Sequence, residues 1–208
     1  MEQLSLRFCA LGLAAICAAT GLRAQEFRFG GGYNMSNVQE SGPEHWTGRP
    51  GYQFGADLQL GDLWFVRGGA HFQVRNLEFI TTGLDSAGAA DAINREYRYT
   101  ERSLRVPLML GRNLIRISDE PAFNAYVMAG PTALFALSTE LSDDELEVDA
   151  RRTQWLIGFG GGVTFGFVFV EGSYGVAMSD IFQGEPLQTN PKVNQFCLNA
   201  GVRLALAR

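Results

Sequence analysis

Acid–base chemistry needs an imidazole within reach of a carboxylate, and His71 shares one face of an alternating pattern with Asp57 and Glu171. The same three side chains serve equally well as hydrogen-bonding filler of an enclosed polar interior, which is the reading adopted here. His45, beside Glu44 and Trp46, is a single imidazole and too little for a metal centre. No serine sits in a Gly-x-Ser-x-Gly turn, and no His or Cys spacing matches a zinc site. The run Gly158-Phe159-Gly160-Gly161-Gly162 lacks the third glycine of a dinucleotide loop, and the residues after it continue a strand pattern. The acidic run Asp143-Asp144-Glu145-Leu146-Glu147-Val148-Asp149 has neither the glycine nor the spacing of a calcium loop, and reads as solvated. We expect no catalytic residues, no cofactor and no metal, and hence no enzyme.

The elements that carry these residues are strands. From residue 25 onward, eight segments alternate with period two, apolar or aromatic residues on one face and Gly, Gln, Asn, Asp or Arg on the other. Phe27, Phe29, Tyr33 and Met35 oppose Arg28, Gly30 and Asn34, and Tyr52, Phe54, Leu58 and Leu60 oppose Gln53, Asp57 and Gln59. The third segment runs from Trp64 to Arg75 and the fourth from Leu104 to Gly111. A fifth follows from about Phe123 to Leu137, where Val127 opposes Tyr126 and Met128. The last three centre on Ile157, Val170 and Leu198. Tight connections at Gly61 to Leu63 and at Gly166-Phe167, with a longer turn at Asn113 to Pro121, alternate with polar stretches at Asn37 to Gly51, Asn76 to Ser103, Ser138 to Thr153 and Ala177 to Asn194. Short turns on one rim and long loops on the other predict an all-β, eight-stranded, antiparallel up-and-down barrel.

Composition decides which face meets which solvent. Of 17 basic residues only Lys192 is a lysine, and the polar face holds Gly, Gln and Asn with isolated arginines. A water-facing exterior would be rich in Lys and Glu. Small residues and a few charges instead suit the narrow lumen of eight strands. The barrel therefore reads as transmembrane, with the apolar face toward lipid. Arginines enclosed there need acceptors, so an internal ion-pair network is expected from Arg28, Asp57, Arg67, His71, Arg75, Arg105, Glu171 and Arg203. Aromatics fall at two girdle levels, Phe27, Trp64, Phe165 and Phe167 near the short turns and Tyr33, Tyr52, Trp155, Tyr174 and Phe196 toward the long loops.

Residues 1–24, with Arg7, an apolar run from Phe8 to Ala19 and Leu22-Arg23-Ala24, read as a cleavable signal peptide, leaving 25–208 as the barrel domain. Cys9 and Cys17 fall in that signal, so Cys197 is left without an intrachain partner. A net charge of −5 argues against nucleic acid. In the last segment Asn199, Gly201, Leu204 and Leu206 take the form of a barrel-assembly signal, implying the assembly machinery as a partner. Arg151 and Arg152 are expected to meet lipopolysaccharide phosphates.

Four stretches carry a resemblance: Leu104-Arg105-Val106-Pro107-Leu108-Met109-Leu110, Tyr126-Val127-Met128-Ala129-Gly130-Pro131, Phe159-Gly160-Gly161-Gly162-Val163, and Glu171-Gly172-Ser173-Tyr174-Gly175-Val176 continuing to Asp180-Ile181. In these the chain resembles the PorT-like outer-membrane β-barrel family of the Bacteroidetes. The resemblance implies an outer-membrane address, periplasmic turns and surface-exposed loops, with some members tied to protein secretion. The expected role is structural or interactive, through the loops at 76–103 and 138–153 and an envelope protein partner. The alternatives are a small pore and a soluble periplasmic carrier of an apolar ligand.

Overall fold

The computed structural model describes residues 25–39, 45–84, 90–117, 122–141, 151–181 and 192–207. The expected signal peptide and the acidic run at 143–149 lie outside these residues. Eight strands form a closed barrel in sequential order: β1 (Gln25–Gln39), β2 (His45–Gly61), β3 (Trp64–Leu84), β4 (Ala90–Ile117), β5 (Phe123–Leu141), β6 (Thr153–Phe165), β7 (Val168–Ala177) and β8 (Lys192–Ala207). Every neighbouring pair is antiparallel, and β1 closes on β8 through pairs such as Gly30↔Gly201 and Asn34↔Cys197. Closure matters because a sheet edge cannot stand unpaired in hydrocarbon.

Alternation sorts the side chains as the period-two pattern predicts. Phe29, Phe54, Leu110, Phe159 and Leu204 are roughly half exposed on the outside, while Arg28, Gln53, Gln73 and Arg75 are almost wholly covered within. In β5 the structure sets the phase: Tyr126 and Met128 point inward and Val127 outward. The two tight turns carry positive-φ glycines, Gly61 (φ 108°) and Gly166 (φ 58°), where a side chain would strain the backbone.

Three connections differ from expectation, the first being Asn37 to Gly51, which is strand over 37–39 and again over 45–51. The stretch 76–103 is not a loop: β3 runs 21 residues and β4 28, paired from Trp64↔Arg112 up to Leu84↔Ala90. Polar residues on both faces hide this strand from a hydropathy pattern, because above the membrane neither face needs to be apolar. At the opposite rim, β4 extends to Ile117 and pairs with Phe123, so the expected turn from Asn113 to Pro121 is largely strand.

Of the three prolines inside described strands, Pro50 of β2 lies at the register shift between Arg49 and Tyr52, while Pro107 and Pro131 leave matching marks. The β3–β4 ladder skips from Gly68↔Leu108 to His71↔Arg105, and the β4–β5 ladder skips from Pro107↔Thr132 to Leu110↔Ala129. Each gap is two residues long and contains one proline, Pro107 in the first and Pro131 in the second. One missing N–H removes the hydrogen bond that two successive bridges share. Pro107 and Pro131 thus sit within continuous strands, neither at strand ends nor at the register shifts of the β3–β4 and β4–β5 ladders.

Candidate functional site in the barrel lumen

Inward-facing charges gather into three groups. In the first, Glu171 on β7 accepts on one oxygen from Tyr126 Oη at 2.8 Å, from Arg28 Nη1 at 3.4 Å and from Arg67 Nη1. Arg67 also donates to Gln59 Oε1 from Nε and Nη2, at 3.1 and 2.7 Å. Glu26 then joins Arg28 Nε (2.7 Å) to Arg203 Nη1 (3.1 Å). A chain of opposite charges, Arg203, Glu26, Arg28, Glu171 and Arg67, therefore spans β8, β1, β7 and β3.

Aromatic rings face the same guanidinium groups. Arg28 lies between Phe169 (4.6 Å to the ring centroid) and Tyr126 (4.9 Å), and Arg67 lies between Tyr126 (4.8 Å) and Phe65 (5.1 Å). The order Phe169, Arg28, Tyr126, Arg67, Phe65 alternates ring and cation across the lumen. Desolvated cation–π contacts are worth about 2 kcal/mol each, so the rings offset part of the cost of taking the cations out of water.

Glycine makes room for these rings. A Cβ on Gly111 would lie 2.1 Å from the Phe65 ring, and one on Gly201 or Gly30 within 2.9 Å of Phe169. Phe65 packs further with Met109, Tyr126 and Met128 in a small apolar cluster. The glycine-lined interior expected from sequence is thus a set of seats for inward aromatic and thioether groups.

In the second group, Arg75 donates from Nη2 to Glu101 Oε2 (2.6 Å) and Gln154 Oε1 (2.9 Å), while Tyr99 Oη and Gln154 Nε2 each reach Glu101 Oε2 at 3.1 Å. Arg75 and Glu101 are both fully covered. In the third, His71 Nε2 and Asp57 Oδ1 are 2.9 Å apart, and the buried Arg105 is the cross-strand neighbour of His71. Of the eight lumen residues singled out in the sequence, Arg28, Arg67, Glu171 and Arg203 belong to the first group, Arg75 to the second, and Asp57, His71 and Arg105 to the third.

Glu26, Glu101 and Tyr126 are members the sequence reading missed. Glu26 shares the parity of Arg28, a signal that was present. Glu101 lay in the stretch taken for loop, and Tyr126 was placed on the polar face without a role.

The remaining candidates lie apart. Arg152 is exposed at the rim, and Arg151 Nε is buried without a partner among the described residues. Asn199 Oδ1 accepts from Gln53 Nε2 at 2.6 Å, Leu204 faces outward, and Gly201 seats Phe169. The side chains of His45 and Leu206 lie outside the described residues. Among the described residues no three His, Cys, Asp or Glu side chains converge as a metal set. What the lumen does chemically is set four carboxylates against five guanidinium groups and fill its own cross-section.

Residues 7–203 match the family model described as outer membrane protein beta-barrel domain. No curated protein matches the sequence. Among solved structures the chain is similar to the outer membrane protein OprG from Pseudomonas aeruginosa, with 14% identity, a TM-score of 0.55, and 88% of this chain and 98% of that one covered. It is also similar to Ail, the attachment invasion locus protein of Yersinia pestis, solved with the heparin analogue sucrose octasulfate (18% identity, TM-score 0.41, 86% and 99% covered). The N-terminal β-barrel domain of Pseudomonas aeruginosa OprF follows (11%, 0.39, 89% and 100%).

Proposed function

The chain belongs to the outer membrane protein beta-barrel domain family, and from that premise we propose that it is a surface-interaction protein of the outer membrane whose working part is the tall β3–β4 hairpin. The observation that carries the reading is strand length. β2 pairs with β3 only up to His45↔Ile80 and β5 joins β4 only from Leu141↔Tyr99, yet the hairpin continues to Leu84↔Ala90. Beyond those points its two edges have no ladder partner among the described residues. An open edge in water offers a row of N–H and C=O groups to an incoming strand. The resemblance to PorT-like barrels supports a finer version, in which the partner is an envelope protein and the barrel is an accessory of a secretion system.

Passage of ions is not part of this proposal, because alternating rings and guanidinium groups cross the lumen. The outer-membrane address and the charged interior remove the soluble carrier of an apolar ligand.

The test is photo-crosslinking on intact cells. A crosslinking residue placed at Asn94 should yield a discrete protein adduct, and the same residue at Leu58 in the apolar belt should not. Replacing 81–95 by Asn-Gly should abolish the adduct from a probe at Arg98 while heat-modifiable migration persists. No adduct from any position in 81–95 would overturn the reading.

A further inference from the structure

Of the five lumen guanidinium groups, only Arg105 touches no carboxylate among the described residues. Arg28, Arg67, Arg75 and Arg203 each meet Glu26, Glu101 or Glu171, and Asp57 is taken by His71 at 2.9 Å. Arg105 is buried on β4 and makes no hydrogen bond or ion pair there, although its charge acts on Asp57 and on the Cys197 thiol. A guanidinium carries five N–H donors, and leaving it out of water without acceptors is costly.

The space in front of Arg105 is closed at both ends. Toward the long loops, Gln73, Arg75, Glu101 and Ser103 are wholly covered. Toward the short turns, the layer of alternating rings and cations fills the cross-section. Between these seals Arg105, His71 and Asn199 keep 8%, 7% and 8% of their surface, and side chains that point into a closed barrel keep it toward an internal space. Glycine opens that space. A Cβ on Gly55 would lie 2.7 Å from His71 Cγ, one on Gly69 2.8 Å from Asp57 Cγ, and one on Gly32 2.8 Å from Asn199 Oδ1. The three side chains therefore lie back against the wall and leave the axis free.

A second donor joins Arg105. Gln53 receives Cys197 Sγ at 3.7 Å and donates to Asn199 Oδ1 at 2.6 Å, which places Asn199 on the side of the lumen that the Arg105 charge reaches. With its oxygen occupied, Asn199 has Nδ2 left to donate.

We propose that the middle of the lumen binds one small monovalent anion of the size of chloride, held by Arg105 and Asn199 Nδ2. Unpaired donors select an anion, and the two seals exclude a bulky one. The ion supplies the acceptor that Arg105 lacks and brings five guanidinium groups and four carboxylates into balance. The site rests on the barrel interior alone and not on what the β3–β4 hairpin contacts.

The experiment unfolds the full chain in detergent with urea over a series of chloride concentrations, gluconate holding the ionic strength constant. If only the folded state binds one ion, then once the site fills the unfolding equilibrium constant should fall about ten-fold for each ten-fold rise in chloride. Arg105→Gln should flatten this dependence, in a barrel whose closure is checked by heat-modifiable migration. If that variant does not close, wild-type crystals grown in bromide give the answer by anomalous scattering, with a peak expected within hydrogen-bond distance of the Arg105 guanidinium. A wild type indifferent to the exchange of gluconate for chloride, a closed Arg105→Gln barrel that keeps the full dependence, or bromide crystals without a peak at Arg105 would each overturn the proposal.

Discussion

Glu171 illustrates how a charge is kept inside a barrel. Its Oε2 collects Tyr126, Arg28 and Arg67 at once, so removing its charge leaves Arg67 without its carboxylate and Arg28 with Glu26 alone, in a medium that solvates cations poorly. Breaking a buried pair from one side costs about 3–5 kcal/mol. Glu171→Gln, nearly isosteric, is expected to lower unfolding stability by that order, read from the urea midpoint in detergent, and an unchanged midpoint would refute the network's energetic role. The residue types at this scale were legible: arginine on a face otherwise made of Gly, Gln and Asn demands a carboxylate. Their pairing was not, because Arg75 finds Glu101 from a stretch with no apolar alternation, and Arg28 reaches Arg203 only through Glu26.

At the scale of the element, prolines and strand length matter most. Pro131 faces outward, and the ladder beside it skips two pairs although the strands stay close: a Cβ on Gly130 would lie 2.1 Å from Leu108 O. Pro131→Val supplies the missing N–H opposite Leu108 without placing a polar group in lipid. Regaining one ladder bond is expected to raise stability by about 1 kcal/mol, seen as a higher denaturant midpoint and as a protected amide proton at residue 131, where the wild-type proline has none. No gain would mean that the gap is held open by packing and not by the absent donor. The eight strands and their parity were readable from period two, since one lipid-facing side imposes it. The upper halves of β3 and β4 were not, since strands standing in water lose that constraint.

For the whole molecule, the decisive arrangement is apolar residues outside and charges inside. Nitroxide labels at Leu58 and Val202 are expected to report hydrocarbon contact through oxygen accessibility, and contact with water at both would contradict the barrel's orientation in the membrane. With ring and cation alternating across the lumen, the purified protein in planar bilayers is expected to show no steady porin-like conductance, whereas stable open steps would restore the pore reading.

The sequence by itself determined a closed eight-stranded barrel and the sign of each face, because alternation and the choice of arginine over lysine are local consequences of having lipid on one side only. Only the tertiary structure decided which charges meet, why Gly111, Gly30 and Gly201 are glycine, and that a hairpin rises above the rim. Those facts depend on residues brought across the lumen from strands far apart in the chain, or on strands in water, where no local pattern records the neighbour.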